Sequence, residues 1–280
     1  MTGLRISRPA ALALYAGATV LGVLWLVPVL STLMISAIPL SQTRDGWWNA
    51  GPSDLLFGNY RRAWDEGLSS YVVNSFVITI GAVATSVVLG TLAAYAFSWM
   101  RFRLKEVSYF LLITTMIVPV QIILIPLLPW FRDLNLTGDV GQYVGIILVH
   151  VAFGAGWAVF MLGGFMTEIP DDMVEAARID GASHLRLLRH VILPLSLPGI
   201  VSFALIDFVF VWNDLLLALT LLDRDHQPIT VGLANLQAPH LAQEDLVSAG
   251  SILAILPPLL LFAMLNRYYV RGLFAGGVKG

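Results

Sequence analysis

The chain has 280 residues, of which 58% are hydrophobic and only 12% charged, with a formal net charge of −2 and no cysteine. Soluble domains carry about 25% charged residues, so this composition cannot cover a water-facing globule of such length. The missing cysteine removes disulfide frameworks, thiolate metal sites and thiol nucleophiles, and a charge near neutrality gives no reason to expect a nucleic-acid partner.

Taken in chain order, the stretches 9–43, 67–100, 107–131, 140–167 and 246–266 contain no Asp, Glu, Lys or Arg. A sixth, 198–222, is apolar except for Asp207, Asn213 and Asp214. Each is long enough to cross a bilayer, which takes roughly 20 residues as a helix. None alternates strictly, so helices are expected rather than barrel strands. The predicted spans are about 10–39, 70–100, 107–131, 141–167, 198–222 and 246–268, all within a single transmembrane domain over 1–280. Arg5 and Arg8 precede the first span, as in a signal peptide, but its apolar run exceeds the usual ~7–15 residues and no A-x-A site follows; it reads as a retained helix.

Orientation follows Lys and Arg. With the N-terminus inside, eleven of the 16 cations fall on inner segments, among them Arg101, Arg103, Lys105, Arg178, Arg186 and Arg189, while Arg44, Arg61, Arg62, Arg132 and Arg224 fall outside. Both termini are therefore expected in the cytoplasm. The outer segment near 40–70 carries Trp47, Trp48 and Trp64, which suit either a membrane interface or a lid beneath a docking protein. Pro119, Pro126 and Pro129 are expected to kink the third span, and Asn74, Gln121 and His150 to hydrogen-bond between helices.

The stretch 168–197 is the one long charged segment between spans on the inner side. It reads as two short helices around a turn. Pro170, Asp171 and Asp172 favour a helix start, Gly181 a left-handed C-cap, and Pro194 and Pro198 an end to the second helix. Ala176 and Ala177 leave a flat patch beside Glu175 that another surface can approach.

Asp207 and Asp214 stand seven residues apart, two turns along one predicted helix face. With Trp212 and Asn213 they offer the acceptors and aromatic platforms a sugar needs. Two readings stay open: a translocation path lined by this helix, or a solvated Asp214 and an Asp207 paired with a neighbouring helix. No Lys-Ser/Thr phosphate loop follows a strand anywhere, so ATP hydrolysis by that route is absent from this chain.

Glu175-Ala176-Ala177, three residues, Gly181, nine residues, Val191, one residue, Leu193-Pro194 resembles the EAA signature of ABC-importer permeases, with Val191 where the family has Ile. The tail from Arg271 to Gly280, and Trp212-Asn213-Asp214-Leu215 followed by Pro228-Ile229-Thr230, are similar to the MalG-type carbohydrate subfamily. The resemblance implies an all-α membrane protein of six transmembrane helices, the type I ABC importer permease fold, with a cytoplasmic coupling hairpin between spans four and five. It implies ATPase coupling through Glu175, Ala176, Ala177, Asp180, Gly181, Leu193 and Pro194, and an ATPase-contacting tail at Gly276, Gly277 and Lys279. It further implies a second homologous permease, two ATP-binding subunits holding ATP and Mg, an extracytoplasmic solute-binding protein, and residence in a prokaryotic inner membrane. The substrate class implied is an oligosaccharide, disaccharide or glycoside. The alternative is an ion- or proton-coupled secondary transporter using Asp207 and Asp214, which would show an internal repeat.

Overall fold

An apolar run with no polar face bonds every backbone group internally when helical, which is what a bilayer demands. The computed structural model describes residues 7–237 and 243–277, and every regular element among them is helical. Five helices are long and apolar enough to cross a membrane, or six if one sharply bent pair is counted as a single span. The chain forms two compact units, Met1–Leu68 with Leu233–Ile255, and Ser69–Gly232 with Leu256–Gly280.

In the first unit, α1 (Arg8–Ser36) is apolar on all sides, and its large side chains, such as Trp25 and Leu14, are exposed. Such a helix has hydrocarbon as its solvent. After α2 (Leu40–Asp45) come two tight turns at Trp47–Asn49 and Pro52–Asp54, then α3 (Gly58–Ala63). Buried Asn59 ties α3 to the end of α1 by donating Nδ2 to the carbonyls of Ser36 (3.2 Å) and Ile38 (2.9 Å). The Gly51 amide donates to Asp54 and holds that carboxyl below the usual carboxylate range. Arg62 pairs at 3.3 Å with Asp245, whose side chain is 2% exposed.

The second unit is built on α4 (Ser69–Trp99), which packs along α7 (Asp139–Thr167) and α10 (Leu193–Trp212). Gly90 permits the closest approach, since a Cβ there would stand 2.4 Å from the Cβ of Ala158.

The third span is broken. α5 (Lys105–Thr115) and α6 (Val120–Asp133) meet at 99°. Pro119 disfavours helical geometry at Val118, and α5 closes instead with i→i−3 bonds from Met116, Ile117 and Val118. Pro126 and Pro129 remain inside α6.

α8 (Asp171–Ile179) and α9 (His184–Leu187) form the hairpin after α7. The second helix does not stop at Pro194. It runs from His184 to Trp212 through a π-turn at Leu188–Ile192. In that wider turn the ladder skips the bond Pro194 cannot donate and makes room for its ring. The fifth span accordingly begins before residue 198 and ends at Trp212. Beyond it come α11 (Leu216–Leu221), α12 (Ile229–Leu236) and α13 (Glu244–Gly277).

Candidate functional site

Two groups of residues converge on function, one at the hairpin and one in a cavity within the helices of the second unit.

The hairpin has a rooted face and an exposed one. Val174, Leu187, Leu188 and Ile192 are buried in one core with Tyr95 of α4, Leu162 and Met166 of α7, and Phe203 of α10. Arg178 Nη2 donates to the carbonyl of Trp99 at 3.3 Å. The Tyr95 hydroxyl lies 2.9 Å from His184 Nδ1 and donates to the His184 carbonyl at 3.2 Å. These apolar anchors recur at 187, 188, 191 and 192, a helical spacing that was available in the sequence.

Gly181 has φ +80, and two bonds close the turn around it: Ala182 N to Ala177 O and Gly181 N to Arg178 O, each 3.0 Å. This pair of 6→1 and 5→2 bonds is a Schellman cap. Of the residues in the signature, Glu175, Ala176, Asp180, Gly181 and Pro194 are exposed, while Ala177 and Leu193 are half-buried against the core. Ile179 and Leu185 stand 86% and 72% exposed on the same hairpin, unusual for apolar side chains among charged neighbours. At the tail, Gly276 and Gly277 lie in the last turn of α13, and Lys279 falls outside the described residues.

The second group surrounds a cavity of about 360 Å³ at the break between α5 and α6. Thr115, Met116 and Val118 close it on that side, with His150, Phe153, Gly154 and Trp157 from α7 and Phe203, Asp207 and Phe210 from α10. Asp207 is 7% exposed and His150 3%. Asp207 Oδ2 has no hydrogen-bond partner among the described residues, and the Ser86 hydroxyl stands beside the carboxyl. Both side chains flank Gly154: a Cβ there would stand 3.4 Å from Ser86 Oγ and 3.5 Å from Asp207 Oδ1. Ser86 of α4 and Asp207 of α10 thus bring polar atoms together beside Gly154 of α7 in an apolar setting. A larger cavity of about 620 Å³ beside Lys105 and Glu168 has no buried polar side chain in its lining among the described residues.

The structure separates Asp207 and Asp214, read as sharing a helix face, and the nearby Trp212 and Asn213 read with them as a solute path. Asp207 lines the cavity. Trp212 is 2% exposed and stacks on Phe208 at 5.5 Å, with Phe76 edge-on at 5.0 Å. Asn213 ends α10 by donating Nδ2 to the Val209 carbonyl at 2.7 Å. Asp214 lies past the helix end, and its two carboxylate oxygens accept from the amides of Leu217 (3.2 Å) and Ala218 (3.0 Å) at the start of α11. Asp214 Oδ2 also faces His150 Nε2 at 3.7 Å. Local side-chain bonds to the backbone competed with the helix and won.

The opposite end of α4 grips a loop. Asn74 Nδ2 donates to the carbonyls of Asp225 (2.8 Å) and Gln227 (3.0 Å), and its Oδ1 accepts from Tyr143 at 2.6 Å. Ser75 Oγ accepts from the Ile229 amide, and Gln142 bonds both the side chain and the amide of Asp223. Hydrogen bonds from His226 and Gln142 hold the Asp223 carboxyl below the usual range.

Residues 86–274 match the family described as the inner membrane component of binding-protein-dependent transport systems. The chain is 36% identical to the osmoprotective-compound uptake permease GgtD of Synechocystis, over 91% of this chain and 88% of that one. It is 35% identical to the trehalose transport permease SugB of Mycobacterium tuberculosis, over 91% and 93%. Against the crystal structure of a bacterial ABC transporter that imports the acidic polysaccharide alginate, the TM-score is 0.75 at 24% identity, covering 94% of this chain and 99% of that one.

Proposed function

This chain belongs to the inner membrane components of binding-protein-dependent transport systems, and we propose that it is the permease subunit of an ATP-driven importer for sugars or sugar-like polyols. Its partners are a second homologous permease, two subunits that bind ATP and Mg, and an extracytoplasmic solute-binding protein. The chain supplies no catalytic centre and holds no cofactor. It lies in the inner membrane with both termini and the hairpin on the cytoplasmic side.

The observation that carries this reading is the two-faced hairpin. One face is packed into the core on α4, α7 and α10, and the other presents Glu175, Ala176, Ile179 and Leu185 to a partner. A rooted element of this kind moves with the helices beneath it. When ATP draws the two ATPases together, the hairpin turns and the helices around Asp207 pass from inward-facing to outward-facing. ATP achieves this only through its preference for the closed arrangement. A solute released by the binding protein then reaches the cavity lined by Asp207, Phe203, Phe210 and Trp157.

The cargoes named for the relatives and for the solved transporter include neutral sugars, osmoprotective compounds and an acidic polysaccharide. Polyhydroxylated solutes are common to most of them, and charge is not. The alternative of a proton-coupled carrier acting through Asp207 and Asp214 is weakened, because Asp214 already accepts two backbone amides.

The test is uptake in the assembled complex. Glu175→Lys and Gly181→Asp are expected to abolish ATP-dependent uptake while the chain still inserts and still co-purifies with its partner permease. Normal uptake by both variants would remove the coupling role. Accumulation driven by an ion gradient in liposomes holding this chain alone would remove the importer reading.

A further inference from the structure

The cavity beside Asp207 has an unbalanced set of polar groups. Thr115 already donates to the Leu112 carbonyl at 2.6 Å. His150 Nε2 faces Asp214 Oδ2 at 3.7 Å, too far for a hydrogen bond. Among the described residues no Lys or Arg lines the cavity. What remains is the buried Asp207 carboxylate, with Oδ2 unpartnered among the described residues and the Ser86 hydroxyl beside it, together with the unpartnered Nε2 of His150. Gly154 stands against Ser86 Oγ and Asp207 Oδ1, and its missing Cβ leaves that side of the carboxylate uncovered. Around this point stand the rings of Phe153, Trp157, Phe203 and Phe210.

A carboxylate is an acceptor only. It gains from hydroxyl donors, and hydrogen bonds to an ionised group are the stronger kind. It repels a second anion, and in a site shielded from water that repulsion is far larger than in bulk solvent. Aromatic faces suit the C–H faces of a pyranose and do nothing for a carboxylate or phosphate.

We propose that Asp207, reached past Gly154, makes this cavity a selective site for uncharged polyhydroxylated solutes and a barrier to acidic sugars such as uronides and sugar phosphates. This deepens the permease reading and rests on the cavity being part of the solute path. The selection belongs to the permease and adds to whatever the binding protein imposes. Gly154 is the specificity partner of Asp207: a Cβ there meets Ser86 and Asp207 at ordinary contact distance, so it covers the carboxylate without forcing its neighbours apart.

The chain contains no cysteine, so Ile206→Cys, in the cavity wall, gives it a single thiol whose labelling is read on this subunit after the subunits are separated. The complex is placed in nanodiscs without binding protein. Alkylation of the thiol by a neutral maleimide is then followed against rising methyl glucoside and methyl galactoside, and against the corresponding methyl uronides. The glycosides are expected to protect at concentrations at least ~10-fold below those of the uronides. Asp207→Asn in the same background should narrow that gap to within ~2-fold, chiefly by improving uronide protection. Gly154→Ala should narrow it from the other side, by weakening glycoside protection at least ~5-fold while leaving the uronides unchanged. Equal protection by uronides and glycosides in the parent, or a full gap kept in both variants, would overturn the inference and leave the path reading standing. Absence of protection by any sugar, in a complex that still imports, would overturn both.

Discussion

Replacing Gly181 isolates the cap from the rest of the hairpin. Its φ of +80 lies in the left-handed region, and a Cβ there would meet nothing within 4 Å. Any loss is therefore conformational, with no steric part. A non-glycine residue in that region costs about 1–2 kcal/mol, and the reduced freedom of the unfolded chain returns about 0.4–1 kcal/mol of global stability for Gly→Ala. The anchors at Val174, Leu187 and Ile192 hold the hairpin in place, so the cost falls on the cap itself. A local loss of about 1 kcal/mol shifts the capped-to-frayed ratio about fivefold. Asn visits this region more readily than Ala, and a β-branched residue least. The expected order of cap retention is Gly, Asn, Ala, Val. Hydrogen exchange at the Ala182 amide, bonded to the Ala177 carbonyl, reads the cap directly, and ATP-dependent uptake at equal membrane content reads its consequence. If Gly181→Ala leaves Ala182 fully protected and Gly181→Val is no worse than Gly181→Asn, the anchors alone hold the turn and the argument fails.

Gly90→Val should force α4 and α7 apart, costing about 1–3 kcal/mol and lowering the unfolding temperature of the purified complex, with partial recovery on adding Ala158→Gly. Gly164→Ala, inside α7 with nothing within 4 Å of its Cβ, should raise that temperature slightly, since an unstrained Gly→Ala returns about 0.4–1 kcal/mol. Asn74→Ala deletes two donors and one acceptor, exposing the loop at a cost of about 1–3 kcal/mol; tryptic cleavage after exposed Arg224 should accelerate on the order of tenfold, and unchanged cleavage would show that Ser75 and Gln142 suffice. The depressed Asp223 carboxyl stabilises the fold fully above its unfolded pKa of about 3.9, and that contribution disappears as pH falls through the lower folded value. Because Asp223 is more than half exposed, the effect is under ~1 kcal/mol. Melting from pH 6 to pH 3 should show the parent above Asp223→Asn, with the difference closing below about pH 4; a constant difference would contradict the assignment.

The sequence made the helical spans legible because apolar length alone decides them in lipid. The predicted 70–100 and 141–167 correspond to Ser69–Trp99 and Asp139–Thr167. Gly181 was equally readable, since a glycine after a polar helix has few other purposes. Two features were hidden. Pro194 reads as a stop in any local account, and only the π-turn at Leu188–Ile192, stabilised by burial of Leu187, Leu188 and Ile192, carries the helix through it. The seven-residue spacing of Asp207 and Asp214 assumed an unbroken helix, whereas Asn213 and Asp214 turn their side chains onto nearby backbone. The cavity itself joins Thr115, Gly154 and Asp207 from three distant segments, and no spacing rule links them.

One further consequence attaches to α4. Tyr95, near one end, bonds His184 of the hairpin, and Asn74, near the other, bonds the loop at Asp225 and Gln227. Twenty-one residues of unbroken helix separate the two grips, a strut of about 30 Å. Any coupling carried by this strut is the same in both directions: a free-energy change at the 223–228 loop that reaches the hairpin is matched by an equal change at the loop when the hairpin is perturbed.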